Sequence, residues 1–128
     1  MTQRTAPQIQ PAPVADPRPV DVETMRDMVR RVLALESTDP QLQDLDALTK
    51  ALRGHVQLLV PEIRAIIRTQ PAGDLHSGIA QIAIGEAWRR LHTTPGFGPD
   101  AAYRRAKKLA MSVNSLCDHY ENLNPPAH

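Results

Sequence analysis

Three polar side chains lie among apolar residues on predicted helices, at positions where they could act on a ligand. His55 stands three residues after one leucine and four before another, so the helical period places it on an apolar face. Glu62 follows His55 by seven residues, and Glu86 follows an isoleucine by four on the next predicted helix. Because burying an unpaired carboxylate costs free energy, we expect each glutamate to have a cationic partner. The candidate partners are Arg53, Arg89 and Arg90.

This polar cluster admits three interpretations. A structural role is favoured, in which the cluster fixes helix register near Pro61; a ligand pocket and a metal site or acid–base pair are the alternatives. The paired Glu-x-x-His pattern of di-iron bundles and the His-Glu-x-x-His motif are absent, which weighs against a metal. We predict neither a metal nor a cofactor. If the cluster binds a small molecule, the residues expected to bind it are His55, Glu62, Glu86, Arg53 and Arg89.

Cys117 and His119 are the residue types of a nucleophile and its base. Residues two apart on a helix point about 200° away from each other, so these two side chains cannot pair directly. Cys117 is also the single cysteine of the chain, which excludes an internal disulfide and a cysteine-based zinc site. We therefore predict a buried, structural Cys117, no catalytic residue, and a chain more consistent with a binding protein than with an enzyme.

A basic cluster is the third candidate site, and its interaction residues are Arg104, Arg105, Lys107 and Lys108. It is interpreted as a solvated face, a surface for an acidic protein partner, or a nucleic-acid surface. No aromatic residues interleave the cluster as stacking platforms, and the net charge of the chain is only +1, so nucleic acid is the least favoured partner.

The elements that position these residues are predicted to be helices behind a proline-rich segment. Residues 1–20 hold five prolines, which predicts a disordered tail; 21–124 form the bundle, and 125–128 a disordered C-terminus. Helix one is expected over residues 22–36, capped by Asp21. Helix two is expected to begin with Asp39 as its N-cap and Pro40 at its first position. We expect it to end before Pro71 and to have a kink near residues 57–61.

Helices three and four complete the predicted bundle. Helix three runs from the cap Asp74 to about residue 92, and its expected core residues are Leu75, Ile79, Ile82 and Ala83. Gly78 and Gly85, seven residues apart on a neighbouring stripe, leave room for another helix to approach. Helix four starts near Pro99 and carries a regular apolar stripe, namely Ala102, Ala106, Leu109, Val113, Leu116, Tyr120 and Leu123. Short connections favour antiparallel neighbours, so the predicted fold is an all-α antiparallel four-helix bundle with a kinked second helix.

Composition agrees with this fold and bounds the setting. Hydrophobic residues make up 41% of the chain but aromatic residues only 3%, so the core must be aliphatic, which suits helices better than sheets. No apolar run reaches the length of a membrane span and no export signal is visible, so we expect a cytoplasmic protein without a membrane partner.

Three segments together resemble a known family: residues 52–62, 84–91 and 109–121. They are similar to small helical proteins of unknown function from actinobacteria of the Streptomyces type, labelled natural-product biosynthesis proteins, over roughly residues 21–124. The resemblance implies an intracellular protein linked to secondary metabolism and carries over no catalytic residue.

The leading hypothesis is therefore a non-catalytic accessory or interaction protein of natural-product biosynthesis or its regulation, with a protein partner or a second copy of itself. The alternatives are a small-molecule-binding or enzymatic bundle at the helix-two polar cluster, and nucleic-acid binding by helix four.

Overall fold

The computed structural model describes residues 20–36, 38, 43–93 and 96–123, with only the backbone of Pro99. These residues form four α-helices and no strand: α1 (Val22–Leu33), α2 (Leu45–Ile67), α3 (Leu75–His92) and α4 (Gly98–Leu123). The predicted all-α fold is thereby confirmed. The predicted tail up to residue 19, the Asp39–Pro40 start of helix two and the predicted C-terminal segment lie outside the described residues.

Local caps begin two of the helices where the sequence predicts them. Asp21 accepts a hydrogen bond from the backbone amide of Thr24 at 3.1 Å, and Asp74 accepts one from the amide of Ser77 at 2.9 Å. Helix α1 ends at Leu33, three residues earlier than predicted. Val20, the last residue of the predicted tail, is buried in the core.

Helix α2 continues through Pro61 without interruption. A proline at this position cannot donate to the carbonyl four residues earlier, which belongs to Gln57. Gln57 and Pro61 are both exposed, so water can donate a hydrogen bond to this carbonyl in place of the missing amide.

Helix α4 is the centre of the fold. It contacts the other three helices, most extensively α2. Helices α1 and α3 pack on either side of this pair. Lys107, near the start of α4, donates to the carbonyl of Leu33 at 2.8 Å, whereas Arg26 contacts Glu121 near the end of α4. Helices α1 and α4 are therefore antiparallel.

The α4 stripe is confirmed as the core, since Ala106, Leu109, Val113, Leu116 and Tyr120 are all buried. In addition, Ala110 and Cys117 are fully buried, so the buried face of α4 is wider than one stripe. This width lets one helix pack against three others.

The bounds predicted for α3 are confirmed, but the face predicted to be buried was wrong. Leu75, Ile79 and Ile82 are 72%, 45% and 74% exposed, and only Ala83 of the predicted set packs partly against the core. Helix α3 carries two apolar stripes on nearly opposite sides. The stripe that faces the core consists of Ser77, Ala80, Ile84, Ala87 and Leu91. Its alanines, Ala80 and Ala87, allow a close approach to the rest of the bundle, and Ile84 and Leu91 are the large aliphatic residues that it buries.

Candidate functional surfaces

The predicted polar cluster of helix two does not assemble. No hydrogen bond or ion pair among the described residues joins any two of His55, Glu62 and Glu86. Glu86 was expected to face inward, but its side chain is 51% exposed and pairs at 3.3 Å with Arg90 on its own helix. That expectation was wrong because the buried stripe of α3 is the one opposite to the stripe used for the prediction.

His55 is half-buried, as its place on the apolar side predicts. Its Nε2 atom is fully buried and has no hydrogen-bond partner among the described residues. Burial lowers the pKa of His55 because the apolar surroundings disfavour the charged imidazolium. The neutral ring is therefore a packing element of α2 in this structure.

Of the three arginines proposed as partners of the glutamates, Arg90 pairs with Glu86 as predicted, whereas Arg53 and Arg89 have other positions. Arg53 donates to the carbonyl of Leu91 at 2.7 Å, where it satisfies one of the open carbonyls at the C-terminal end of α3. Arg89 is exposed on the solvent side of α3. A cation at a helix C-terminus also complements the helix dipole, so the contact made by Arg53 is a stabilising one.

Cys117 is buried in the α4 core, as predicted. Burial raises the pKa of its thiol to about 11, although the nearby Arg26 lowers it and the carboxylates of Glu121 and Asp118 raise it. A thiol that stays protonated at neutral pH is a poor nucleophile and a poor metal ligand. Among the described residues, moreover, no three histidine, cysteine or acidic side chains are grouped to hold a metal ion.

A polar network between α1 and α4 was missed by the sequence analysis. Arg26 donates to Glu121 at 2.7 Å and to Asn114 at 2.9 Å, and it lies 2.9 Å from Asp118. Burial lowers the pKa of Arg26, but the two carboxylates outweigh this and raise it. The signal that could have found this network is the spacing of Asn114, Asp118 and Glu121, which places three oxygen acceptors on one side of α4.

The basic cluster of α4 is divided between two sides of the helix. Lys107 turns toward α1, where it donates to Leu33 and lies 4.9 Å from the centre of the Tyr103 ring. Arg104, Arg105 and Lys108 instead line a groove of about 290 Å³ between the end of α3 and the start of α4, together with Arg90. We call this the basic groove.

The solvent side of α3 forms a second surface, which we call the α3 face and define by Leu75, Gly78, Ile79, Ile82 and Gly85. Its three aliphatic residues are all exposed, Leu75 and Ile82 most of all. A Cβ atom added at either glycine would meet no neighbouring atom, so the space above both glycines is open. Gly85 also borders a groove of about 370 Å³ that lies between α2 and α3 and includes Trp88.

These features define a small all-α domain with a central fourth helix, an exposed apolar helix face and a basic groove. The chain belongs to the family described as "Family of unknown function (DUF6415)", whose model matches residues 23–125. The match includes all four helices apart from the first residue of α1. No curated protein and no solved structure matches the chain. Within its described part, no helix has both the length and the apolar character needed to cross a membrane.

Proposed function

We propose that the chain is a non-catalytic accessory protein that acts as a homodimer, formed by the α3 face of two copies. The observation that carries the proposal is the exposure of Ile82, 74%, on the side of α3 opposite the buried stripe. Isoleucine at such a position exposes apolar surface to water, and its burial against a second surface releases that water.

The α3 face is complementary to itself. In a twofold symmetric pair the same patch is used by both copies, so each bulky residue needs a shallow position opposite it. If two α3 helices cross antiparallel with the axis at Ile82, then Ile79 of one copy lies beside Gly85 of the other, because each is three residues from the axis. The open space above Gly85 can hold that side chain.

In the same register, the residues at the ends of the α3 face also lie beside residues of the second copy that can cover them. Leu75 and Arg89 are each seven residues from Ile82, so Leu75 of one copy lies beside Arg89 of the other. The aliphatic part of an arginine can cover a leucine while its guanidinium remains in water. Small residues between large ones also allow the two helix backbones to approach closely.

The biological setting that we propose follows from the resemblance of the three sequence segments. It supports a cytoplasmic role in natural-product biosynthesis or its regulation, in which the dimer binds a biosynthetic enzyme or regulator. The buried thiol of Cys117 and the unassembled helix-two polar cluster agree with a role in binding rather than in catalysis.

The test changes Ile82, because at the proposed twofold axis this residue of one copy lies against the same residue of the other copy. We expect the wild-type chain to be dimeric by light scattering at about 100 µM and to dissociate on dilution, while Ile82→Glu and Ile82→Lys are each monomeric because like charges meet at the axis. An equimolar mixture of the two variants should again be dimeric, because the charges are then opposite. Met111→Glu, a similar change at a 53% exposed residue of α4, is the control and should leave the dimer intact.

A wild-type chain that is monomeric throughout this concentration range would refute the proposal. So would a dimer that persists in both charged variants but is lost in Met111→Glu. A mixture that fails to recover would place the axis away from Ile82.

A further inference from the structure

The basic groove concentrates positive charge without a matching acid. Among the described residues, four cationic side chains line it, from Arg90, Arg104, Arg105 and Lys108, and no carboxylate does. Like charges that converge in a partly enclosed space repel one another, and a bound anion removes that repulsion. Of these four cations, Arg90 pairs with Glu86, and the other three have no acidic partner among the described residues.

Two of the four cations are held in place by the bundle. Arg90 donates to the carbonyl of Lys108 and to the hydroxyl of Ser112, both at 3.0 Å. Arg105 donates to the carbonyl of Leu91 at 3.3 Å, and its Nε atom is buried without a hydrogen-bond partner. Since a carbonyl is neutral, the charge of the half-buried Arg105 guanidinium is not compensated, which is costly unless an anion is near.

The other two cations are free to close on a ligand. Arg104 and Lys108 are exposed at the edge of the groove, four residues apart and therefore on the same side of α4. Thr93, Gly96 and Ala101 form the remaining border, beside the first turn of α4.

The charge and the size of the groove indicate the ligand. A carboxylate carries one charge and engages a single arginine, whereas a phosphoryl group carries up to two charges and three acceptor oxygens, which suits several cations at once. The groove volume of about 290 Å³ is that of a small-molecule site. Lys107 lies on another side of α4, and none of the described residues that line the groove is aromatic, so the features of a nucleic-acid strand site are not found in this part of the chain.

We propose that the basic groove is a binding site for the phosphoryl group of a small phosphorylated molecule. This proposal does not depend on the α3 dimer, because all four cations belong to one copy and Arg90, the one on α3, is turned toward α4.

Titration calorimetry with pyrophosphate tests the proposal on the full chain. We expect wild-type binding with a Kd below about 1 mM at low salt, and inorganic phosphate should bind at the same site more weakly. The double variant Arg104→Ser/Lys108→Ser should weaken pyrophosphate binding about tenfold or more, because two charge-assisted contacts are lost from exposed residues that the fold does not need. In wild-type protein, amide NMR shifts on titration should centre on Gly96 and Ala101.

The matched control is Arg31→Ser/Lys50→Ser, which removes the same charge from exposed residues outside the groove and should change the affinity less than about twofold. Equal weakening in both double variants would overturn the proposal, as it would show only diffuse attraction by net charge. Absence of binding at about 10 mM pyrophosphate would overturn it as well. An oligonucleotide that binds wild type but not the Arg104→Ser/Lys108→Ser variant, in a protein that does not bind pyrophosphate, would assign the surface to nucleic acid instead.

Discussion

Truncation of two isoleucines on α3 tests the orientation of this helix, on which the proposed dimer depends. Ile82 and Ile84 are two residues apart and point to opposite sides, with exposures of 74% and 3%. The sequence prediction placed Ile82 in the core, and the structure places Ile84 there. The variants Ile82→Ala and Ile84→Ala therefore make the same chemical change at an exposed and at a buried position.

The expected free energies of unfolding follow from these exposures. Replacing isoleucine by alanine removes three carbons, each worth about 0.8 kcal/mol when fully buried, and a residual cavity adds to the cost. Ile84→Ala should then destabilise the chain by about 3 kcal/mol. Because only about a quarter of Ile82 is buried in one copy, Ile82→Ala should cost about 0.5 kcal/mol.

Urea unfolding followed by far-UV circular dichroism measures both values, and it should be run at two protein concentrations. At a concentration where wild type is monomeric, the difference between the variants should be about 2 kcal/mol or more. Where wild type is dimeric, the cost of Ile82→Ala should rise and that of Ile84→Ala should not, since only Ile82 lies in the proposed interface. Equal costs for the two variants in the monomer would refute the orientation of α3.

Three further measurements address the other polar and titrating groups. Arg26→Ala should lower the free energy of unfolding by about 2 kcal/mol, because Glu121 and Asp118 lose a largely buried partner; a loss below about 0.5 kcal/mol would show that this network is not stabilising. The pKa of Cys117, raised by burial to about 11, predicts stability that is fully present below the pKa of the unfolded thiol, about 9, and is lost as the pH rises through about 11. Cys117→Ala should lose less stability at alkaline pH than wild type, when the free energy of unfolding in urea is measured against pH. An equal loss in variant and wild type would show that Cys117 is not its cause. The pKa of His55, lowered by burial, predicts stability that is present above pH 6.5 and is lost as the pH falls through the lower pKa of the folded state. His55→Asn, which does not titrate, should lack that acid decline; an unchanged decline would assign it to other groups.

Features determined by neighbouring residues were predictable from the sequence. The caps Asp21 and Asp74 depend on an amide only three residues away, and both were found. The core residues of α4 were predicted correctly because the large apolar residues of this helix, such as Leu109 and Val113, form a single regular stripe. Here the local pattern and the tertiary packing agree.

Features determined by distant residues were not predictable in this way. Helix α3 has an aliphatic stripe that includes Ile82 and an alanine-containing stripe that includes Ile84, and residue size alone favours the first. Which stripe is buried depends on how closely α4 approaches, and α4 lies farther along the chain. The contacts of Arg26 likewise join residues 88 and 95 positions apart.

The division of the basic cluster, by contrast, was available from helix geometry. Lys107 and Lys108 are adjacent in sequence but about 100° apart around α4, whereas Arg104 and Lys108 share a side. When the basic residues are grouped by their adjacency in the sequence, they predict one interaction surface. When they are placed by their angle around the helix, they predict two. The side that includes Arg104 is the one that faces the end of α3 and forms the basic groove.

The two proposed binding surfaces meet at the C-terminal part of α3. Arg89 is exposed beside the proposed dimer contact, and its neighbour Arg90 is turned toward α4, where Ser112 and the carbonyl of Lys108 hold it. Because these contacts lie within one copy, the arginine of the basic groove keeps its position whether or not a second copy is bound. The monomeric variant Ile82→Glu should therefore retain the pyrophosphate affinity of wild type. A loss of affinity in that variant would instead show that dimer formation completes the groove.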